Sequence, residues 1–367
     1  MNYEKRKKKL VTNLTRKESQ PDCILITSLP NLKYYFNYGG VSYERFCGGL
    51  ISLESGKSAL VVPKLDEGKT ASSSVDGVFA WTDSEGYQPS LGAALKSIVG
   101  KSRTFGCEDW VTLYLMEAIK KVRAAAKFES ISPAISAQRL IKEEEEIEAL
   151  RSSSSKLGKG YEKIPEILKA GQSEIEVGYG IKKSLADLGA ADVDFCAVQS
   201  GPNSAVPHSQ TTQRKLSSGD MIVIDISCVD DSGYFADFTR TFSIGSPTEE
   251  QRKVYEVVKA AQSAGTSMAK PGIPGRAIDR NVRGIIEKAS YGKYFVHRTG
   301  HGLGIEVHEA PWINEANASK LRSGMVFTVE PGIYLPGKFG VRIEDNIVLN
   351  PTGNENLTHV SHDLVQI

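Results

Sequence analysis

The chain has 367 residues, 45 Lys and Arg against 44 Asp and Glu, a formal charge of +1 and 40% hydrophobic residues. That length predicts two buried cores rather than one, and the balanced charge removes any electrostatic case for a nucleic-acid or membrane-surface partner. No apolar run is long enough to span a bilayer, and the first residues lack the apolar region of a secretory signal, so the sequence predicts a soluble, cytoplasmic protein.

The basic start, Lys5 to Lys9, reads as a solvated first helical turn. Short apolar runs follow at Cys23 to Ser28, Gly49 to Leu53 and Ala59 to Pro63, the pattern of strands, and Trp110 to Val122 has helical spacing. These elements predict an α/β N-terminal domain over residues 1–130, a stretch that contains no histidine. Ser130 to Ala137, with Pro133 and three serines, reads as a linker, and a second domain is expected over residues 138–367. The cysteines, Cys23, Cys47, Cys107, Cys196 and Cys228, are odd in number and unpaired in spacing, which argues against a disulfide framework or a thiolate metal site.

A helix is expected from Lys142 to Leu157, its acidic run Glu143 to Glu146 complementing the dipole of the first turn. The serines from Ser152 to Ser155 are poor helix formers, and the sequence assigns them no purpose. Gly171 ends one helix and Ser173 caps the next, from Glu174 to Leu188; further helices are expected at Glu249 to Lys270 and Arg276 to Lys288. Strands are expected at Met221 to Ser227, Phe235 to Ile244, Met325 to Val329 and Phe339 to Val348.

The chemistry gathers in this second half. All six histidines lie at or after position 208, and single acids interrupt apolar strands: Asp225, Asp237, Glu330 and Glu344. A lone ionised carboxylate in an apolar strand is unfavourable, so these acids call for a shared counter-charge, and two divalent cations supply it. The turn Asp231-Ser232-Gly233 folds two strands into a hairpin that brings Asp225 and Asp237 to one point. His301, in Thr299-Gly300-His301-Gly302-Leu303-Gly304, adds a neutral imidazole, and its glycines are read as allowing backbone to approach closely where a larger residue would block substrate. Mostly oxygen ligands with one nitrogen suit manganese or cobalt, with zinc as an alternative. Arg342 shares a strand face with Glu344, either to orient it or to meet a substrate anion. Strand threonines such as Thr239 and Thr241 are good strand formers that also have the reach to hydrogen-bond a ligating carboxylate.

With these residues in view, the chain resembles the creatinase, prolidase and aminopeptidase P group of pita-bread metallopeptidases, and most closely the Xaa-Pro dipeptidases. The motifs are Ser200-Gly201-Pro202-Asn203-Ser204-Ala205-Val206-Pro207-His208, Gly300-His301-Gly302 with His308, and Val329-Glu330-Pro331-Gly332-Ile333-Tyr334; Pro21 to Ser28 and Pro30 to Tyr35 resemble the start of the group's first domain. The resemblance implies an α+β pita-bread catalytic domain behind the first one. It implies metal ligation by Asp225, Asp237, His301, Glu330 and Glu344, and attack on the bond before proline by a hydroxide bridging the two metals. Glu330 would relay a proton, His208 and His308 would steady the scissile carbonyl, and His297 would line the substrate pocket. Small peptides with proline at the second position are the implied substrates, and a homodimer the implied assembly. Action on longer peptides as an Xaa-Pro aminopeptidase, or a non-peptidase relative of the same fold, are the alternatives.

Two departures stand out. The interval from Asp225 to Asp237 is one residue longer than usual for the group, with the extra residue expected in the turn. Trp312 stands where dipeptide-specialised members of the group carry an arginine for the substrate carboxylate, which leaves Arg342 as the candidate for that contact.

Overall fold

The computed structural model describes residues 1–15, 20–40, 44–101 and 103–367, and the chain divides into two compact units, Met1–Arg139 and Leu140–Ile367. The first unit holds helices α1 (Tyr3–Thr15), α2 (Leu29–Phe36), α3 (Gln88–Ala94), α4 (Leu113–Val122) and α5 (Ser132–Arg139). Its strands are β1 (Cys23–Ile26), β2 (Gly48–Ser52), β3 (Ser58–Pro63), β4 (Gly77–Trp81), β5 (Thr104–Cys107) and β6 (Lys127–Ser130). They form one mixed sheet in the order β4-β3-β2-β1-β5-β6. Every residue of β1, β2 and β3 is buried, which is why these strands read as unbroken apolar runs and not as an alternation. Leu25, Leu50, Val61, Leu95, Phe105 and Ile119 belong to one buried cluster, each side chain contributing about 1.5–3 kcal/mol.

Two readings of this unit need correction. Arg6 and Lys7 in the basic start are not solvated: Arg6 donates to the Tyr34 carbonyl and lies 4.0 Å from the Tyr34 ring centroid, and Lys7 donates to Ser58 Oγ at 2.9 Å. Ser130 to Ala137 is no loop, because Ser130 ends β6 and α5 begins at Ser132. Pro133 occupies the first helical turn, where its missing N–H loses nothing. Among the described residues four of the five cysteines are buried and none is disulfide-bonded, and no helix is long and apolar enough to cross a membrane.

The second unit opens with α6 (Glu144–Ile167) and α7 (Glu174–Asp187), which cover a sheet of β7 (Asp192–Ser200), β8 (Met221–Val229) and β9 (Phe235–Ser243). Leu157, Tyr161, Ile164, Val177, Ile181, Ile224 and Phe238 form the core between them. Next come α8 (Glu249–Met268) and α9 (Gly275–Lys288), then β10 (Gly300–Gly302), β11 (Glu309–Ile313), β12 (Val326–Val329), β13 (Gly332–Leu335), β14 (Phe339–Arg342), β15 (Asp345–Leu349), β16 (Asn354–Asn356) and β17 (Val365–Gln366). The order β11-β10-β12-β15-β16 makes a second sheet packed on α8 and α9 through Val258, Val282, Phe327 and Val329. β17 closes the first sheet beside β9, and β13 and β14 pair as a hairpin. Ser173 caps α7 as read from sequence, in a reciprocal box with Glu176, and Glu143 with Glu146 forms a second box at α6 that the sequence reading did not assign. The strand expected from Phe339 to Val348 is broken at Ile343-Glu344, where the chain leaves the β13–β14 hairpin and enters the second sheet.

Candidate metal centre

The hairpin of β8 and β9 places the first two acids. Its register runs unbroken from Met221 opposite Ser243 to Val229 opposite Phe235, with Asp225 facing Thr239 and Ser227 facing Asp237. Asp225 and Asp237 are therefore diagonal neighbours on one face, within reach of a common point. The extra residue of this interval is taken up in the turn: the Gly233 N–H donates to the Asp230 carbonyl, and Gly233 sits at φ 81°. Asp230 is a turn residue, accepting from Ser152 Oγ at 2.7 Å and from the Ser232 N–H at 3.0 Å.

The serine run of α6 thereby acquires a purpose. Ser152 donates to Asp230, and Ser153 donates to the Tyr234 carbonyl at 2.7 Å, so two helical hydroxyls tie down the end of the hairpin that carries the acids. Glu146, one of the acids assigned to the helix dipole, is buried and accepts from Tyr234 OH at 2.8 Å.

The other ligand candidates arrive from the second sheet. His301 is the middle residue of β10, Glu330 follows β12, and Glu344 stands at the break between β14 and β15. Gly300 and Gly302 let neighbouring backbone come close: a Cβ on Gly300 would lie 1.9 Å from the Thr328 carbonyl oxygen, and one on Gly302 2.2 Å from that of Ala310. It is the backbone of adjacent strands that these glycines admit, the close backbone approach read from the sequence.

Asp225, Asp237 and Glu344 offer ligand oxygens that lie within 4.8 Å of one another, and so do the donor atoms of His301, Glu330 and Glu344. His301 Nε2 is 3.6 Å from Asp237 Oδ2, 3.6 Å from Glu330 Oε1 and 3.9 Å from Glu344 Oε1. Two triads sharing Glu344 are thus gathered in one place. His301 Nδ1 lies 3.1 Å from the Gly302 carbonyl, which assigns the proton to Nδ1 and leaves the Nε2 lone pair facing the acids. Thr239 Oγ1 donates to Glu344 Oε2 at 2.8 Å, while Thr241 donates instead to the Arg342 carbonyl.

The electrostatics show strain that a cation relieves. Burial, reinforced by the charges of Asp225 and Glu330, holds the Asp237 carboxyl well above the usual carboxylate range; burial and the Asp237 charge do the same to Glu344. Glu330 is pushed up to about 7 by burial, with Asp225 adding to it against the pull of Arg342. Burial keeps His301 well below its ordinary value, and therefore neutral, the form a metal ligand needs. Asp225 Oδ1 is buried with no hydrogen-bond partner. Acceptor oxygens that repel one another, an orphaned carboxylate oxygen and a neutral imidazole lone pair fit divalent cations, and Asp225, Asp237, His301, Glu330 and Glu344 are the residues that would hold them.

Arg342 is buried, and its guanidinium is committed: it donates to Asp225 Oδ2 at 2.6 Å, to Tyr334 OH at 2.8 Å and to Thr239 Oγ1 at 3.1 Å. One N–H of each guanidinium nitrogen is used in this way, which supports the orienting role read from sequence, for Asp225 directly and for Glu344 through Thr239. Tyr334 OH also lies 2.9 Å from His297 Nε2, and burial plus the Arg342 charge lowers His297 to about 3. His308 meets His301 edge to face, with ring centroids 4.2 Å apart. His208, exposed, and His308 both line a cavity of about 890 Å³ that the five ligand candidates also line. His362 Nε2 lies 2.8 Å from Oδ2 of the buried Asp345.

Sequence reasoning missed the supports of the His208 loop. Glu174 accepts from the Ser200 N–H at 2.7 Å and the Thr212 N–H at 2.8 Å, clamping both ends of the loop, and Gln199 Nε2 donates to the Ser209 carbonyl at 2.9 Å. Glu174 was visible only as the first residue of a helix. It also missed Arg298, whose guanidinium carbon lies 4.5 Å from the Trp312 ring centroid at the wall of the same cavity.

The chain matches the metallopeptidase family M24 over residues 148–351 and the creatinase/prolidase N-terminal domain over residues 6–141. It is 33% identical over 345 residues to an Xaa-Pro dipeptidase of Pyrococcus horikoshii, covering 94% of each chain. It is 38% identical over 229 residues to the probable dipeptidase PepE of Mycobacterium tuberculosis, a match that spans 62% of this chain and 61% of that protein. Among solved structures, the recombinant prolidase from Thermococcus sibiricus superposes with a TM-score of 0.94 at 35% identity over the whole of both chains. The second unit accordingly has the pita-bread fold expected from the sequence, behind a creatinase-type first domain. On these matches and the geometry they accompany, the chain belongs to the metallopeptidase family M24.

Proposed function

We propose that this protein is a dinuclear metallopeptidase that hydrolyses Xaa-Pro bonds, with Xaa-Pro dipeptides as its substrates. The observation that carries the reading is the pair of donor triads sharing Glu344 in the wall of one cavity. The names of the full-length relatives, Xaa-Pro dipeptidase and prolidase, support the choice of bond. Divalent cations held by these residues would act as Lewis acids and lower the pKa of a coordinated water, giving a nucleophile at neutral pH.

The residues around them have separate tasks. Glu330, in the cavity wall 3.6 Å from His301 Nε2 and 3.9 Å from His297 Nδ1, takes up a proton and delivers it to the departing imino nitrogen. His208 and His308, on the cavity wall, donate to the scissile carbonyl as charge develops on it, an effect worth roughly 3 kcal/mol for a well-placed donor. His297 contributes a neutral wall to the proline pocket, held by Tyr334. Arg342 fixes Asp225 and, through Thr239, Glu344.

Manganese or cobalt is the proposed metal, on the strength of a donor set with one nitrogen and otherwise oxygen, and zinc is the alternative. Each unit is proposed as a domain in its own right, since each has its own buried core. A cytoplasmic homodimer is the proposed setting; cysteines that are mostly buried and form no disulfide among the described residues accord with a reducing compartment.

The test is hydrolysis of Xaa-Pro dipeptides and of longer Xaa-Pro peptides by protein loaded with manganese or cobalt. The reading expects dipeptide cleavage with release of free proline. Inactivity on both classes would overturn it, and preference for the longer peptides would reassign the protein as an Xaa-Pro aminopeptidase.

A further inference from the structure

Three cations line the cavity: Lys182, Arg298 and Arg342. They differ in what else they hold. Arg342 is buried and has one donor of each guanidinium nitrogen engaged, on Asp225, Tyr334 and Thr239, so it is already neutralised by a ligand candidate. Lys182 is exposed, on a long flexible stem whose rotamers would have to be frozen to grip a ligand. Arg298 is partly buried, and among the described residues no carboxylate lies within ion-pair distance of its guanidinium.

Arg298 is nonetheless held in place. Its guanidinium carbon lies 4.5 Å from the Trp312 ring centroid, so the group stacks on an aromatic face while its five N–H donors stay free at their edges. Its backbone is fixed as well: the Arg298 carbonyl faces His297 Nδ1 at 2.8 Å, and the N–H of the next residue, Thr299, donates to the Ile313 carbonyl at 2.9 Å. Three residues on is His301, so the cation is tethered to the strand that carries the imidazole ligand candidate. A planar fork of donors, preorganised in the cavity wall and with no carboxylate within ion-pair distance among the described residues, matches a carboxylate.

We propose that Arg298, stacked on Trp312, binds the free carboxylate of the substrate's C-terminal proline and so selects dipeptides over longer or blocked peptides. This rests on the Xaa-Pro reading above and extends it to a specificity-determining residue. A longer peptide replaces the carboxylate by a neutral amide, leaving the guanidinium without its anion.

The experiment compares Ala-Pro with its C-terminal amide, Ala-Pro-NH2, on metal-loaded wild-type protein and on Arg298→Ala, Arg298→Lys, Trp312→Leu and Lys182→Ala. Charge-assisted hydrogen bonds of this type are worth on the order of 10- to 100-fold in affinity. Arg298→Ala should therefore lower the preference for Ala-Pro over the amide by that factor, chiefly through KM. Arg298→Lys should recover part of it, and Trp312→Leu should reduce it by about 2- to 5-fold, the worth of a surface cation–π contact. Lys182→Ala should leave the preference in place. Equal losses on both substrates would show a structural role for Arg298 and overturn the proposal. So would a change that follows the charge of the first residue, or a collapse of the preference in Lys182→Ala and not in Arg298→Ala. If wild-type protein cleaves neither substrate, the Xaa-Pro reading itself fails and takes this proposal with it.

Discussion

Glu330 offers a sharp test of why this site calls for metal. Its carboxyl has an ordinary value of 4.5 and is pushed up to about 7 in the folded, metal-free protein, chiefly by burial. The folded state therefore holds this proton more tightly than the unfolded chain does. Where the native state binds more protons, stability falls as pH rises, so a penalty builds from about pH 4.5 and levels off above pH 7. Two and a half pK units correspond to about 3 kcal/mol in full, of which about 2 to 3 kcal/mol develops between pH 5 and pH 8. Replacing Glu330 by Gln removes that titration and leaves the rest of the chain's titratable groups in both proteins. It also lowers the repulsion felt by Asp237 and Glu344, whose carboxyls burial and neighbouring acids hold up, so the gain is in the same direction. In chelator, urea unfolding should show Glu330→Gln gaining about 2 to 3 kcal/mol on wild type from pH 5 to pH 8. With saturating manganese the advantage should vanish, since cations then do what protons did, and metal present at a thousand times its Kd adds about 4 kcal/mol to wild type. A difference between the two proteins that ignores pH, or that runs the other way, would refute the reasoning.

Other perturbations separate positioning from packing. Gly302→Ala would drive a Cβ to 2.2 Å from the Ala310 carbonyl oxygen, so β10 must shift; a loss on the order of 3 kcal/mol or more in thermal unfolding, with weakened metal binding, is expected. Glu174→Ala should free both ends of the loop that carries His208, lowering kcat at least tenfold while metal content measured by mass spectrometry stays at the wild-type level. Ser153→Ala removes one hydroxyl tie to the Tyr234 carbonyl and should lower stability by about 1 kcal/mol without changing metal stoichiometry.

Much of this molecule was legible in its sequence because burial writes itself plainly. The strands of the first unit are covered on both faces and show as apolar runs, and the helices of the second unit announce themselves through caps such as Ser173 with Glu176. The acids were legible for the opposite reason: Asp225 and Asp237 contradict the strands that hold them, and a contradiction in local pattern marks a site. What was not legible depends on partners far away in the chain. The inward turn of Arg6 and Lys7 depends on Tyr34 and Ser58, and the use of the serine run depends on a hairpin about 80 positions downstream. The break at Glu344 was hidden because apolar residues continue on both sides of it, although the chain changes sheets there. Arg298 was not singled out in the sequence, because what sets it apart from Arg342 is its surroundings: Arg342 is bonded to Asp225, whereas Arg298 stacks on Trp312.

The account stands on Asp225, Asp237, His301, Glu330 and Glu344 holding two cations between them. Anomalous diffraction from crystals grown with manganese measures this directly. It should reveal two peaks per chain in the cavity, one among Asp225, Asp237 and Glu344 and one among His301, Glu330 and Glu344, with Glu344 touching both. Peaks at other residues, a single peak, or none in a crystal saturated with the metal would contradict it.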